Sequence, residues 1–229
     1  MIPKVAHFYW YGEREMPELR RASLDSFKRL NPTWEVNLHH SGEKSDPTFV
    51  EIVTASDAAR YGILHRAGGV YFDTDIVFVR SIPEEWLRFD VLLPATKDGD
   101  LYGVHVLGAR AGSPFFSEAM RRCRLRLDSP MLLGCQSLGV KLWGDTHILA
   151  LCAGMNLSFG LVPYGAFLGA DSTQVEELWS PGETVGEQEI GVHWYGGDRL
   201  SEQYSELPLD ELPNCRIRAA LEMSGAWAT

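Results

Sequence analysis

Apolar and polar positions along this chain change period several times, from strand-like alternation to helical spacing and back. Ile2–Trp10 is apolar and aromatic and reads as a first buried strand closed by Gly12. Pro17–Leu30 sets Leu19, Leu24, Phe27 and Leu30 at helical spacing, and Asn31-Pro32 stops the helix. Trp34–Leu38 alternates as a second strand, and the polar, proline-containing stretch Ser41–Thr48 reads as a loop. Ser56 is a good N-cap, so the pattern predicts a helix over Ser56–Ala67 with Gly68 at its C-terminal stop. Val70–Phe78 is the next strand, interrupted or ended by two aspartates. Val91–Pro94 and Gly103–Leu107 suit further strands, Ser117–Leu127 a helix, and Ser137–Cys152 a helical segment after Gly134. Leu161–Tyr164 and Ile190–Trp194 are short strand candidates. Strands alternating with helices imply a layered α/β domain with a largely parallel sheet.

The length of 229 residues suits one large domain or two small ones, and the reading favours a single domain over 1–229. Residues 215–229 are weakly patterned and read as a loosely attached tail. Hydrophobic residues make up 45% and charged ones 23%, the composition of an ordinary globular protein. Acidic residues outnumber basic ones by 31 to 21, a formal charge of -10, which argues against a broad nucleic-acid-binding surface. An anionic substrate would therefore need a local cation, from arginine or metal. Arg121, Arg122, Arg124 and Arg126 cluster on one predicted helix, where a solvated face is favoured over a phosphate site. Cys123, Cys135, Cys152 and Cys215 lack CxxC pairing and read as thiols in a reducing compartment. Met1 runs straight into IPKVAHFYW, and no stretch approaches the ~20 apolar residues of a membrane span. The expected location is cytoplasmic, with peripheral membrane association left open.

The chemistry concentrates in SDAARYGILHRAGGVYFDTDIV, Ser56–Val77. Asp73 and Asp75 are two apart, so an extended strand would send both carboxylates from one face. At ~4 Å and an effective dielectric of ~20, two such charges repel by roughly 4 kcal/mol, a cost that a bridging cation converts into binding. Oxygen ligands of this kind suit Mg²⁺ or Mn²⁺. Asp57 and Arg60 share a face near the predicted helix start, where a guanidinium can bind a phosphate or sugar hydroxyl. Taken alone, that pair reads as a surface i,i+3 ion pair worth a few tenths of a kcal/mol. An isolated DxD likewise reads as an aspartate pair opening a loop.

IPKxxHFxW at the start, NPxWEV, SDxxRYxxLxxxGGVYxDTD and a late His-Trp pair together resemble the DxD-motif sugar transferases. These include α-1,4-galactosyltransferase and α-1,6-mannosyltransferase type enzymes and the catalytic domains of glucosylating toxins. The resemblance runs from Ile2 to Trp194 and implies a GT-A fold, a nucleotide-binding α/β/α sandwich with a largely parallel central sheet. It assigns nucleotide-sugar binding to residues 1–100 and the acceptor and closing parts to 101–200. It implies a metal-dependent retaining hexosyltransferase that takes a sugar from a nucleotide diphosphate sugar, UDP-linked by the Trp10 match, to a hydroxyl of a glycan or polysaccharide. Position by position, Trp10 matches the base-stacking aromatic, and Asp57 and Arg60 the donor-sugar contacts. Asp73 matches the aspartate touching ribose and metal shell, and Asp75 the direct Mn²⁺ (or Mg²⁺) ligand. His193 matches a histidine that completes the metal site. Judged without the family, Trp10 reads as core and His193 as a structural histidine.

Two features depart from the family. The run His193-Trp194-Tyr195-Gly196-Gly197-Asp198 lacks the family's closing Ser-Trp pair, and Leu101–Lys141 matches only loosely through GARAGSPFF. One alternative is a haloacid-dehalogenase-type phosphatase, with Asp73 as nucleophile and Asp75 as acid/base. Residues 1–69 precede its motif, and Lys141 with Asp145 is a poor match to its later groups. A degenerate, non-catalytic carbohydrate-binding domain is the other.

Overall fold

The computed structural model describes residues 1–12, 14–41, 48–95, 103–129, 133–134, 136–144, 146–167 and 173–227. In chain order the first half forms β1 (Val5–Tyr11), α1 (Glu18–Leu30), β2 (Glu35–Ser41), α2 (Phe49–Ala67), β3 (Gly69–Phe72) and β4 (Ile76–Phe78). There follow β5 (Val91–Pro94), β6 (Val106–Ala109), α3 (Pro114–Leu127), α4 (Ile148–Gly154) and β7 (Phe159–Val162). The chain ends with α5 (Val175–Trp179), β8 (Gly191–His193), α6 (Arg199–Ser205) and α7 (Arg216–Ser224). The chain groups into two compact units.

The first unit comprises Met1–Arg14, Glu35–Asp73 and Pro83–Pro163. Its sheet runs β2-β1-β3-β6-β5-β7, with β6 alone antiparallel to its neighbours. This is the largely parallel α/β sheet that the alternating pattern predicts. Val70, Tyr71 and Phe72 of β3 and Val91, Leu92 and Leu93 of β5 are all buried, the continuous apolar run of strands covered on both faces. Helix α2 packs Tyr61, Ile63 and Leu64 into a core shared with Phe115 and Phe116 of α3. Trp143 stacks on Phe115 at 4.8 Å between ring centres.

Helix α2 begins two turns earlier than Ser56 suggests. Thr48 accepts from the Glu51 N–H while Glu51 accepts from the Thr48 N–H, a reciprocal capping box that starts the helix there. Ser56 is freed from capping and turns its hydroxyl to Tyr71 and Arg60 instead. Of the arginines on α3, Arg121 and Arg122 pair with Glu118, and Arg126 donates to the Lys141 carbonyl. Residues 42–47 of the expected loop, with Cys135 and Asp145, lie outside the described residues.

The second unit comprises Glu15–Trp34, Thr74–Ile82 and Tyr164–Thr229. Here β4 and β8 pair antiparallel, with register Ile76↔His193 and Phe78↔Gly191. The two-stranded ribbon is covered by apolar helix faces, and Leu19, Trp179, Trp194, Ile217 and Leu221 form the core. Phe27 meets Phe78 edge-on at 4.9 Å. Residues 215–227, which read in sequence as a loose tail, contain α7, whose Ile217, Ala220 and Leu221 are fully buried. Gly225 closes α7 in the left-handed conformation, φ 70°.

The strand expected over Val70–Phe78 is two strands in two sheets. β3 pairs with β1 and β6, whereas β4 pairs with β8, and Thr74-Asp75 is a turn between them. The aspartates therefore do not project from one face of an extended strand. Cys123 and Cys152 in the first unit and Cys215 in the second are free, buried thiols. Burial pushes Cys123 up to about 12 and Cys152 up to about 11. Among the described residues no helix is long and apolar enough to cross a membrane.

Candidate active site

Each unit carries part of the chemistry that the sequence singles out. In the first unit, α2 and β3 bring Asp57, Arg60 and Asp73 together. Asp57 and Arg60 are not a surface pair: they are 2% and 3% exposed. Arg60 Nη2 lies 3.0 Å from Asp57 Oδ1 and 3.2 Å from Asp73 Oδ1. Its Nε donates to the Ser56 carbonyl at 3.3 Å, Nη2 to Ser56 Oγ at 3.0 Å, and Nη1 to the Val104 carbonyl. The guanidinium also lies over the Tyr71 ring at 4.7 Å, and Tyr71 Oη is 3.0 Å from Ser56 Oγ. Two carboxylates, two carbonyls, a hydroxyl and an aromatic face thus surround one cation. That is the saturation a buried charge requires.

Burial pushes Asp57 up to about 6, with Arg60 opposing that rise and Asp73 adding to it. Burial alone would lower Arg60, but Asp73, Tyr71 and Asp57 hold it firmly protonated. Gly139 closes over Asp57 so tightly that a Cβ there would fall 2.9 Å from Asp57 Oδ2. The Asp73 backbone is fixed at the end of β3 by its N–H to the His105 carbonyl at 3.0 Å.

In the second unit, Asp75 and His193 face each other, because Ile76 and His193 are register partners in the ribbon. His193 Nε2 is 3.3 Å from Asp75 Oδ1, and the Gly196 N–H donates to Asp75 Oδ2 at 2.7 Å. The Asp75 carbonyl accepts from the Trp194 N–H at 2.9 Å. Burial alone would raise the Asp75 carboxyl. The His193 charge and hydrogen bond, Arg20 and the Gly196 N–H outweigh it and hold the group well below the usual carboxylate range. Arg20 of α1 donates from Nη1 to Thr74 Oγ1 at 2.7 Å and lies over the Trp194 ring at 4.9 Å.

Trp10 sits near the end of β1, half-buried, with its indole N–H donating to the Arg14 carbonyl at 2.8 Å. The indole edge is thereby tied to the backbone just past β1. Lys141, a candidate for the phosphatase alternative, is exposed on a short turn at Val140–Leu142. Sequence reasoning found Asp57, Arg60, Asp73, Asp75 and His193 but missed Arg20, Tyr71, Gly139 and Gly196. Arg20 precedes the aspartates by a whole helix and a sheet crossover, so no local spacing announces it. Gly139 lies in the weakly patterned middle region. Tyr71 and Gly196 stand inside the singled-out segments, but as apolar strand and turn residues they carry no signal of their own.

Residues 3–94 match the family described as the glycosyltransferase sugar-binding region containing a DXD motif. No curated protein matches the chain. The fold is similar to that of a glycosyltransferase involved in glycosylation of the major capsid of PBCV-1. That likeness has TM-score 0.53 and 9% identity and covers 90% of this chain and 100% of that one. It is also similar to the apo-form glycosyltransferase GlyE of Streptococcus pneumoniae TIGR4, at TM-score 0.50 and 14% identity, covering 97% of this chain and 63% of that one. The PaToxG glycosyltransferase aligns at TM-score 0.48 and 13% identity over 68% of this chain and 70% of that one. At these identities the first two likenesses establish the fold, and they bear out the GT-A-type α/β class.

Proposed function

We propose that this chain, whose residues 3–94 match the DXD-containing glycosyltransferase region, is a metal-dependent retaining hexosyltransferase. It takes a sugar from a UDP-linked donor and delivers it to a hydroxyl of a glycan or polysaccharide. The reading rests chiefly on one observation: a carboxylate and an imidazole 3.3 Å apart, with the second carboxylate oxygen fixed by a backbone N–H. Oxygen and nitrogen donors of this kind fit Mn²⁺ or Mg²⁺. Asp75 and His193 would hold the ion, and Asp73, one residue removed from Asp75 along the chain, would add its carboxylate. Bound there, a divalent ion supplies Lewis-acid stabilisation of the charge that develops on the leaving diphosphate.

The chain's own residues do the rest. Trp10 would stack on the base. Arg60 and Asp57 act on the donor end by orientation rather than by proton transfer: the saturated guanidinium fixes the Asp73 carboxylate in one geometry. No side chain is assigned as a nucleophile; the acceptor hydroxyl attacks from the face that the sugar's leaving group occupies. Acceptor recognition falls to residues 101–200, the whole chain working as one transferase domain in the cytoplasm.

A panel of nucleotide sugars, each with Mn²⁺, Mg²⁺ or a chelator, tests this. The expected result is hydrolysis of a UDP-sugar that stops on chelation. Turnover of a generic aryl phosphate in place of any nucleotide sugar would instead support the phosphatase alternative. UDP binding indifferent to metal would point to the non-catalytic one.

A further inference from the structure

A nucleoside diphosphate bound beside Asp75 and His193 in this strongly acidic chain would need a local cation to meet its negative charge. We propose that Arg20, on α1, is that group: its guanidinium binds a diphosphate oxygen beside Asp75 and His193. The inference rests on the proposed nucleotide-sugar site and goes beyond the residues that the sequence assigns to it.

Contacts within the second unit fix the guanidinium. Nη1 donates to Thr74 Oγ1 at 2.7 Å, which ties it to the turn between the two aspartates. Its Cζ lies over the Trp194 ring, 4.9 Å from the centroid, next to His193. Gly196 supplies the room, since a Cβ there would stand 2.2 Å from Arg20 Nη2 and 2.9 Å from Cζ. Any side chain at 196 would displace the arginine, while the same glycine gives its N–H to Asp75. The glycine that shapes the Asp75 site therefore also admits Arg20.

Arg20 differs from Arg60 in being half-buried rather than sealed. A guanidinium presents five donors in a planar fork, suited to phosphate oxygens, and its place over the indole adds a cation–π attraction. Asp75 has His193 and a backbone N–H as partners in addition to this cation. A counter-ion serving Asp75 alone would need neither the Thr74 anchor nor the clearance at Gly196.

Calorimetry with UDP, pyrophosphate and uridine, in saturating Mn²⁺, separates this role from a structural one. Arg20→Gln is expected to weaken UDP and pyrophosphate roughly 10–100-fold while leaving uridine unchanged, as loss of a charge-assisted hydrogen bond implies. Arg20→Lys keeps the charge without the planar fork and should recover part of the loss. Equal UDP affinity in wild type and Arg20→Gln overturns the proposal, as does a parallel loss of UDP and uridine. If Arg20→Gln loses its folded circular dichroism, the comparison of Arg20→Lys with wild type decides by the same criteria. A wild-type protein that binds uridine but neither UDP nor pyrophosphate overturns it too. A wild-type protein that binds none of the three removes the nucleotide-sugar reading itself, and the inference with it.

Discussion

Asp73 and Asp75 are separated by one residue, yet their carboxylates keep different company. In the first unit Asp73 shares a buried guanidinium with Asp57, and every direction around Arg60 is taken by protein. In the second unit Asp75 meets an imidazole, a backbone N–H and a half-buried arginine, all groups that also suit an incoming ion or phosphate. On the proposed reading, the first cluster positions Asp73 and the second would hold the ion. On that reading the three-residue Asp73-Thr74-Asp75 motif divides its labour between positioning and ion binding.

The contrast predicts opposite outcomes for substitutions that look alike on paper. Arg60→Met removes the shared partner of two carboxylates and should destabilise the protein by about 3–5 kcal/mol, read from denaturant midpoints. Asp75→Ala should be read in catalysis instead: a loss of donor hydrolysis of roughly 100-fold or more, in protein that still folds by circular dichroism. If Asp75→Ala retained full turnover with added Mn²⁺, the division of labour would collapse.

The buried cluster also carries a pH signature. Folding holds the Asp57 proton up to about pH 6, whereas the unfolded chain releases it near 3.8. The folded state therefore binds more protons between those values. Its contribution to stability is complete below about pH 4 and lost as pH rises through about 6, by no more than about 3 kcal/mol. Urea midpoints measured at pH 4.5 and pH 7 should show a fall that Asp57→Asn flattens.

Smaller effects sharpen the picture. Gly139→Ala forces a methyl onto Asp57 Oδ2 and should cost about 1–3 kcal/mol. Glu118→Ala, which releases Arg121 and Arg122 on the surface of α3, should shift stability by less than about 1 kcal/mol. A Glu118 effect as large as that of Arg60→Met would mean that burial does not set the scale here.

Local patterns announced much of this. The apolar runs of β1, β3 and β5 and the spacing on α1 stand close to where periodicity places them. Asp57, Arg60, Asp73 and Asp75 are legible because they fall in one contiguous segment. The start of α2 was obscured by two competing caps, and Thr48 prevails because Glu51 completes its box. Val70–Phe78 reads as one strand since apolar residues flank the aspartates on both sides. The sheet partners that split it lie far along the chain, at Val106–Ala109 and Gly191–His193. Arg20 and Gly196 are invisible for the same reason, as their meeting depends on tertiary packing alone.

Sealed sulfur atoms provide a clock for each half of the molecule. Cys123 and Cys152 belong to the six-stranded part and Cys215 to the ribbon and its helices. A maleimide reagent can alkylate them only after the surrounding shell has parted. With Cys135 changed to serine, timed labelling followed by peptide mass analysis would reveal whether both halves come apart in a single cooperative event or in succession.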